Sequence, residues 1–302
     1  MQIPQLKNLL KDFEKNIIYD QDLKRKNWFN IGGKSKVFYK AENLNDLIKF
    51  LKLLDSREKI FIIGAGSNTL ISDNIFDGVV IKLSKNFNRI SLLREDVIIS
   101  GSAVLDKNLS EFASENHLSG FEFLSCIPGS VGGGIKMNAG CFGREFKDIL
   151  LSIQAMDQKG SLITIPSKEI NFDYRNNDLP EDLIFLSASF KGVKSDVRKI
   201  NSEIIKMKSE KEKNQPTKIK TSGSTFKNPV NQTNKKVWEL IRESVSTDTK
   251  FGDACISNKH SNFFINKGNA TYQDMKKLID FVSKKVFEKT GIKLEKEIKI
   301  LE

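Results

Sequence analysis

Residues 126–143, CIPGSVGGGIKMNAGCFG, constrain this chain more than any other stretch. Gly129, Gly132, Gly133, Gly134, Gly140 and Gly143 stand there among Ile127, Val131, Ile135, Met137 and Phe142. A glycine in regular structure costs about 0.5–1 kcal/mol relative to alanine, so a cluster of them implies main chain in close approach to something flat or charged. Flexible linkers are Ser-rich and polar. This segment is apolar, and it reads as a ligand-cradling loop opened by Pro128-Gly129 rather than as a tether.

A second glycine cluster, GAGSN at 64–68, follows the apolar run KIFIIG. The backbone N–H groups of such a turn converge on an anion, and Ser67 and Asn68 add side-chain donors. A plain hairpin turn fits the same residues. The cluster is not a GxGxxG turn, and no helix with a downstream acidic residue follows it. Tyr174-Arg175 closes an extended stretch, INFDYR; the arginine suits a carboxylate held by both its nitrogens, or is a surface arginine. GSTFKNP at 223–229 sets Ser224 beside Gly223, with Lys227 and Asn228 close behind. It is not a GxSxG elbow, and His117 and His260 are the only histidines, so a hydrolase is poorly supported. Near the end, Ile292, Leu294, Ile298 and Ile300 share one face of a strand, and Lys293, Glu295, Glu297 and Lys299 share the other. Glu297 therefore points away from the apolar side, into solvent or into a cleft.

The 302 residues are 39% apolar and 29% charged, enough to bury a core in two lobes or three small ones. A wholly disordered chain is excluded. Apolar spacing predicts an opening helix through Leu6, Leu9, Leu10, Phe13 and Ile17 and a second over Leu44 to Leu54. Strands are expected at KIFIIG, Val79 to Leu83, DVIISGSAV, LSIQAMD, SLITI, IFLSASF, NFFIN and IKLEKEIKIL, and further helices near 109–115, 195–213, 237–243 and after Thr271. A boundary is placed near residue 200. The net charge of +11 is that of a lysine-rich solvated surface or of a protein with an anionic partner: nucleic acid, a membrane surface or a phosphate-bearing small molecule. The alternating charges of Lys208, Glu210, Lys211, Glu212 and Lys213 mark a solvated helix face rather than a nucleic-acid tail. Cys126, Cys141 and Cys255 form no CxxC pair and read as buried apolar residues; no metal is expected. No signal peptide opens the chain, and no apolar run approaches the ~18 residues of a membrane span, so a cytoplasmic protein is expected.

Taken in order, NWFNIGG, GAGSN, GFEFLSCIPGSVGGGIKMNAGCFG, YRNN, NQP, GSTFKNP, KHSNFFIN and LEKEI resemble the UDP-N-acetylenolpyruvoylglucosamine reductases, from about residue 27 to the C-terminus. The resemblance implies an α+β architecture. A two-part FAD-binding region of the vanillyl-alcohol-oxidase-like (PCMH-type) fold is followed by a C-terminal α+β substrate domain. It places one FAD-binding subdomain at 1–82, joined by the last strand at 292–302, a second at 83–200, and the substrate domain at 201–291. Non-covalent FAD, NADPH as co-substrate and a UDP-sugar enolpyruvyl ether as substrate follow from it, with no nucleic acid and no membrane.

By the same resemblance, Gly64, Ala65, Gly66, Ser67 and Asn68, with Ser130, Val131, Gly132, Gly133 and Gly134, line the FAD pyrophosphate. Met137, Asn138, Ala139 and Gly140 sit near the flavin. Arg175, Ser224 and Glu297 fall on the family's catalytic residues, and Tyr174, Arg175, Lys227 and Asn228 on substrate contacts. Arg175 would offset charge on the substrate carboxylate, Ser224 would deliver a proton to the carbanion, and Glu297 would hold or share a proton or orient Arg175. The stretch between Arg175 and Ser224 contains no Tyr, which resembles the shorter of two family types. Asn177, the KTSGS stretch and Lys299 depart from the family's usual residues. The competing readings are a flavin oxidase of the same broad fold and a basic nucleic-acid-binding protein; GSTFKNP and LEKEI argue against the oxidase.

Overall fold

The computed structural model describes residues 3–54 and 58–302. They cluster into two compact units. The first draws on residues 3–20, 36–54, 58–65 and 77–211, and the second on 21–35, 66–76 and 212–302.

In the first unit a four-stranded sheet runs in the order Ile17–Asp22, Lys34–Ala41, Phe76–Leu83, Lys59–Ile62. Its last pair is parallel, with Ile62 opposite Ile81. The helix Leu44–Leu53 covers one face, started by the Asn43 side chain, which accepts from the Asp46 N–H. Phe50 from this helix stacks on Tyr39 with ring centroids 3.9 Å apart, and Phe13 meets both rings edge-on. The opening helix is shorter than its apolar spacing suggests. It ends at Leu9, a tight 3-10 segment Lys11–Asn16 follows, and Ile17 begins a strand. Phe13 and Ile17 are still buried, so apolar spacing reported burial correctly and helix length incorrectly.

The second sheet of this unit is antiparallel, in the order Leu162–Pro166, Leu150–Met156, Ile184–Lys191, Val97–Gly101, Ile90–Arg94. The helices Asp106–Glu115 and Val131–Lys136 pack beside it around Phe121, Phe123, Phe146 and Phe190. The glycine-rich stretch is thus partly helical, where a loop was expected. The helix Val197–Asn214 buries Ile200 and Ile204 and exposes Lys208, Glu210, Glu212 and Lys213. Lys211 departs from the solvated-face expectation and is half-buried.

The second unit packs the helices Val237–Ser244 and Tyr272–Thr290 around Phe226, Ile256, Phe264, Leu294 and Ile298. Thr271 and Asp274 close a reciprocal cap on the longer helix, and Gly291 ends it in the left-handed region at φ 71°. A three-stranded sheet joins Lys250–Phe251, Ala254–Ile256 and Phe264–Asn266. The final strand is only Lys299–Leu301, paired in parallel with Thr69–Ile71. The longer strand expected over 292–301 is interrupted: Lys296 makes an isolated bridge to Phe226. Leu294 and Ile298 are nevertheless buried.

Asp106 is fully buried, and neither carboxyl oxygen has a hydrogen-bond partner among the described residues. Burial alone pushes its pKa well above the usual carboxylate range. The unfolded chain releases this proton near pH ~4, and the folded chain keeps it. Stability from this group is therefore complete below that pH and is lost as pH rises toward the folded pKa, at about 1.4 kcal/mol per pH unit. Asp106→Asn should flatten the fall in melting temperature between about pH 5 and about pH 8. Equal falls in parent and variant would show that the folded protein holds Asp106 ionised.

Candidate functional site

The turn at 64–68 is not a hairpin: the strand before it lies in the four-stranded sheet, and the strand after it pairs with Lys299–Leu301. In the first unit, the Lys82 Nζ donates to the Gly64 carbonyl at 2.7 Å. A Cβ on Gly64 would overlap the Ser130 hydroxyl, so the two glycine clusters touch at this point. Ala65 is half-buried beside it. In the second unit, Gly66 has φ 69°, and a side chain there would overlap the Lys26 carbonyl. The Asn68 side chain donates to the Glu297 carbonyl at 3.0 Å, and the Asn68 carbonyl accepts from Lys299 N–H at 2.9 Å. Ser67 is half-buried.

Most glycines of the helix Val131–Lys136 and its approach are set by packing. A Cβ on Gly134 would overlap the Phe146 ring, one on Gly129 the Asp106 carboxyl, and one on Gly132 would stand 2.9 Å from Ser102 Cβ. The N–H groups of Val131, Gly132 and Gly134 donate to the carbonyls of Val104, Ser102 and Ser130. Gly133 differs. Only the Ser130 hydroxyl, at 3.6 Å, comes near where its Cβ would stand. No protein atom requires glycine at 133, which fits a flat or anionic group lying against this backbone.

The helix ends under the Asn177 side chain, whose amide donates to the carbonyls of Ile135 and Lys136 at 3.2 and 2.9 Å. The asparagine that departs from the family pattern is therefore a C-terminal cap. Met137 follows the helix, and Asn138 takes φ 40° and is fully buried. Its amide donates to Glu145 Oε2 and the Asp173 carbonyl, and its Oδ1 accepts from Lys147 N–H. The Ala139 carbonyl accepts from Phe146 N–H.

Arg175 also sits in the left-handed region, at φ 55°, with its guanidinium 4.9 Å above the Tyr174 ring. Its Nη2 donates to the Gly140 carbonyl at 2.7 Å, and Nη1 lies 3.8 Å from Glu145 Oε1. The Arg175 side chain is 17% exposed, so its charge is held in place yet reachable. Glu145, also held by Lys147, is the organising residue that sequence reasoning missed. It lies beyond the glycine cluster, and nothing in the local stretch Arg144-Glu145-Phe146 marks it.

In the second unit, Ser224 is bridged to Phe263, and Gly223 before it has φ 76°. Asn262 grips the next residues from both sides: its Oδ1 accepts from Phe226 N–H at 3.0 Å, and its amide donates to the Phe226 carbonyl at 2.9 Å. On the opposite edge, Glu297 N–H donates to the Thr225 carbonyl at 2.8 Å, and Lys227 N–H donates to the Glu295 carbonyl at 2.9 Å. Lys227 Nζ lies 3.6 Å from the Glu295 carboxylate. Asn228 Oδ1 accepts from Val237 N–H and starts the helix there. Ser224, Lys227, Asn228 and Glu297 are all half-buried.

Residues 215–301 match the model of the UDP-N-acetylenolpyruvoylglucosamine reductase C-terminal domain, and residues 35–166 match an FAD binding domain model. A UDP-N-acetylenolpyruvoylglucosamine reductase from Pelagibacter ubique is 62% identical over 301 residues, covering 100% of both chains. This chain belongs to the UDP-N-acetylenolpyruvoylglucosamine reductase family. A reductase from Rickettsia typhi is 45% identical over 93% of this chain and 94% of its own. The crystal structure of the reductase from Thermus caldophilus superposes with a TM-score of 0.81 at 28% identity, covering 95% of this chain and 98% of that one. The reductase fold is therefore the α+β, PCMH-like arrangement. Among the described residues no helix is long and apolar enough to cross a membrane, and no cluster of His, Cys, Asp and Glu could hold a metal ion.

Two neighbouring glycines of the reductase helix should respond oppositely to a methyl group. Gly134→Ala forces the buried Phe146 ring to move, at roughly 1–3 kcal/mol. Gly133→Ala meets only ordinary contact and should gain about 0.5–1 kcal/mol of helix preference. Thermal denaturation of the flavin-free proteins checks the contrast; equal losses would contradict the packing argument.

Proposed function

We propose that this chain is an NADPH-dependent, FAD-containing reductase that converts UDP-N-acetylenolpyruvoylglucosamine to UDP-N-acetylmuramate, for peptidoglycan precursor synthesis in the cytoplasm. The observation that carries the reading is the 62% identity over the whole chain to a reductase of that name. The net charge of +11 suits a substrate bearing a diphosphate and a carboxylate. We keep the three-part division proposed from the sequence, with FAD served by 1–82, 292–302 and 83–200, and substrate by 201–291.

Bound FAD supplies hydride transfer between the nicotinamide and the enolpyruvyl double bond. For this group Gly64, Ala65, Gly66, Ser67 and Asn68, with Ser130, Val131, Gly132, Gly133 and Gly134, form the backbone cradle, and Met137, Asn138, Ala139 and Gly140 border the ring. Gly133 supports this assignment best, because packing leaves its Cβ direction open.

Hydride addition to the terminal enol carbon leaves negative charge on the carbon bearing the ether oxygen and on the adjoining carboxylate. Arg175 holds that carboxylate and offsets the charge. Its pairing with Glu145 and Gly140 keeps the guanidinium in place beforehand, which lowers the cost of orienting it. Tyr174, Lys227 and Asn228 complete the substrate contacts. Ser224 delivers the proton; a hydroxyl is a weak acid, but a carbanion is basic enough to take its proton. Glu297 must hold a proton, share one, or orient a cation, because an ionised carboxylate alone opposes the developing charge. Its backbone is fixed on both sides, by Thr225 and by Asn68.

Ser224→Ala separates the two half-reactions. The variant should bind flavin and be bleached by NADPH at a near-parental rate, while reoxidation by the enolpyruvyl substrate slows roughly 10²–10⁴-fold. Stopped-flow flavin absorbance measures each half. No slowing of the second half would remove Ser224 from the chemistry, and equal slowing of both would make it structural. Arg175→Lys keeps the charge but loses the planar fork, at roughly 10–100-fold in substrate turnover, with NADPH bleaching as the internal control. An unchanged turnover would overturn the carboxylate contact.

A further inference from the structure

Two of the three cysteines and one lysine have no place in the reaction, yet they meet in one spot. Cys126 ends the 3-10 segment Glu122–Cys126 and is buried. Cys141 lies on the short strand Gly140–Cys141, which pairs with Arg144–Glu145, and is partly exposed. The strand lies against the 3-10 segment: Cys141 Sγ donates to the Phe123 carbonyl at 3.2 Å. The two thiols are close enough to perturb each other's ionisation, and the Ser125 hydroxyl lies 3.7 Å from Cys126 Sγ. Lys211 reaches in from the helix Val197–Asn214, and its Nζ donates to the Cys126 carbonyl. Both cysteines are free thiols.

We propose that Cys126, Cys141 and Lys211 form an oxidisable dithiol site, which a peroxide converts to a Cys126–Cys141 disulfide. Cys126 is the attacking sulfur. Interaction with the neighbouring Cys141 side chain pulls its pKa down, and the Ser125 hydroxyl and the Lys211 and Lys208 charges act in the same direction, against the opposing effect of burial. Cys141 is pushed up by the same interaction and by burial, so it stays a thiol until the second step. The Cys126 thiolate attacks one oxygen of hydrogen peroxide, the O–O bond breaks, and hydroxide leaves, giving a sulfenic acid. The Cys141 sulfur then attacks the Cys126 sulfur; its proton and the leaving hydroxide form water, and the disulfide closes. One peroxide and two thiols become one disulfide and two waters.

Place gives the modification its interest. Cys126 immediately precedes Ile127-Pro128-Gly129-Ser130, and Cys141 follows Gly140, whose carbonyl holds Arg175. A bond between them would tie the start of the glycine-rich stretch to its end. Cys255, buried in the other unit, serves as an unreactive reference.

The test uses the full chain with its flavin bound. Protein treated with a small excess of hydrogen peroxide is unfolded in acid, alkylated and weighed, and its peptides are mapped. The site predicts one alkylated cysteine, Cys255, where the untreated protein has three, a mass lower by two hydrogens before alkylation, and a linked peptide pair carrying Cys126 and Cys141. Lys211→Met should slow the loss of thiols several-fold without changing the product. Three alkylated cysteines, a linkage involving Cys255, or oxygen adducts on Cys126 with Cys141 still free would overturn the proposal. Equal oxidation rates in Lys211→Met and parent would overturn the part given to Lys211.

Discussion

The helix Val131–Lys136 can lie where it does only because Gly132 and Gly134 carry no side chains, one facing Ser102 and the other the Phe146 ring. Much of the first unit's candidate chemistry depends on that steric allowance. The seated helix presents Gly133 with only the Ser130 hydroxyl near its open side and ends under Asn177. The chain then turns through Asn138 into the hairpin that carries Glu145, and Glu145 in turn orients Arg175. A run of glycines that costs backbone entropy is thus repaid by close packing on one side and an open backbone on the other.

The second unit uses a different device. Buried or half-buried asparagines tie distant backbones together, since each amide offers a donor and an acceptor without a charge to desolvate. Asn27 spans its own loop, donating to the carbonyls of Leu23 and Ile31; Asn266 donates to Phe29, Asn262 holds Phe226, and Asn68 holds Glu297. The backbone at Ser224 and that at Glu297 are therefore fixed by neighbours rather than by long regular strands. That is why a final strand of three residues is enough to position Glu297.

The sequence was most legible where local pattern decides structure. The strands at 97–101, 150–156, 162–166 and 184–191 and the helices at 44–53, 197–214 and 237–244 all stand where apolar spacing and turn residues put them. It was least legible where long-range pairing decides. Asn68 and Glu297 meet across 229 positions, and no local signal announces the contact. Glu145 and Lys211 look like ordinary surface charges until the fold brings Arg175 and Cys126 to them. The glycines of 126–143 were rightly read as marking close approach, but most of that approach is by the protein's own Phe146, Ser102 and Asp106. Within the helix Val131–Lys136, Gly133 alone keeps an open side.

The reductase reading rests on electrons passing from NADPH to the enolpyruvyl sugar nucleotide by way of bound flavin. The most direct measurement is an anaerobic titration followed by flavin absorbance. One equivalent of NADPH should bleach the flavin, and one equivalent of UDP-N-acetylenolpyruvoylglucosamine should then restore its colour in the absence of oxygen. A flavin that stays bleached until air is admitted would contradict the account and make the chain an oxidase.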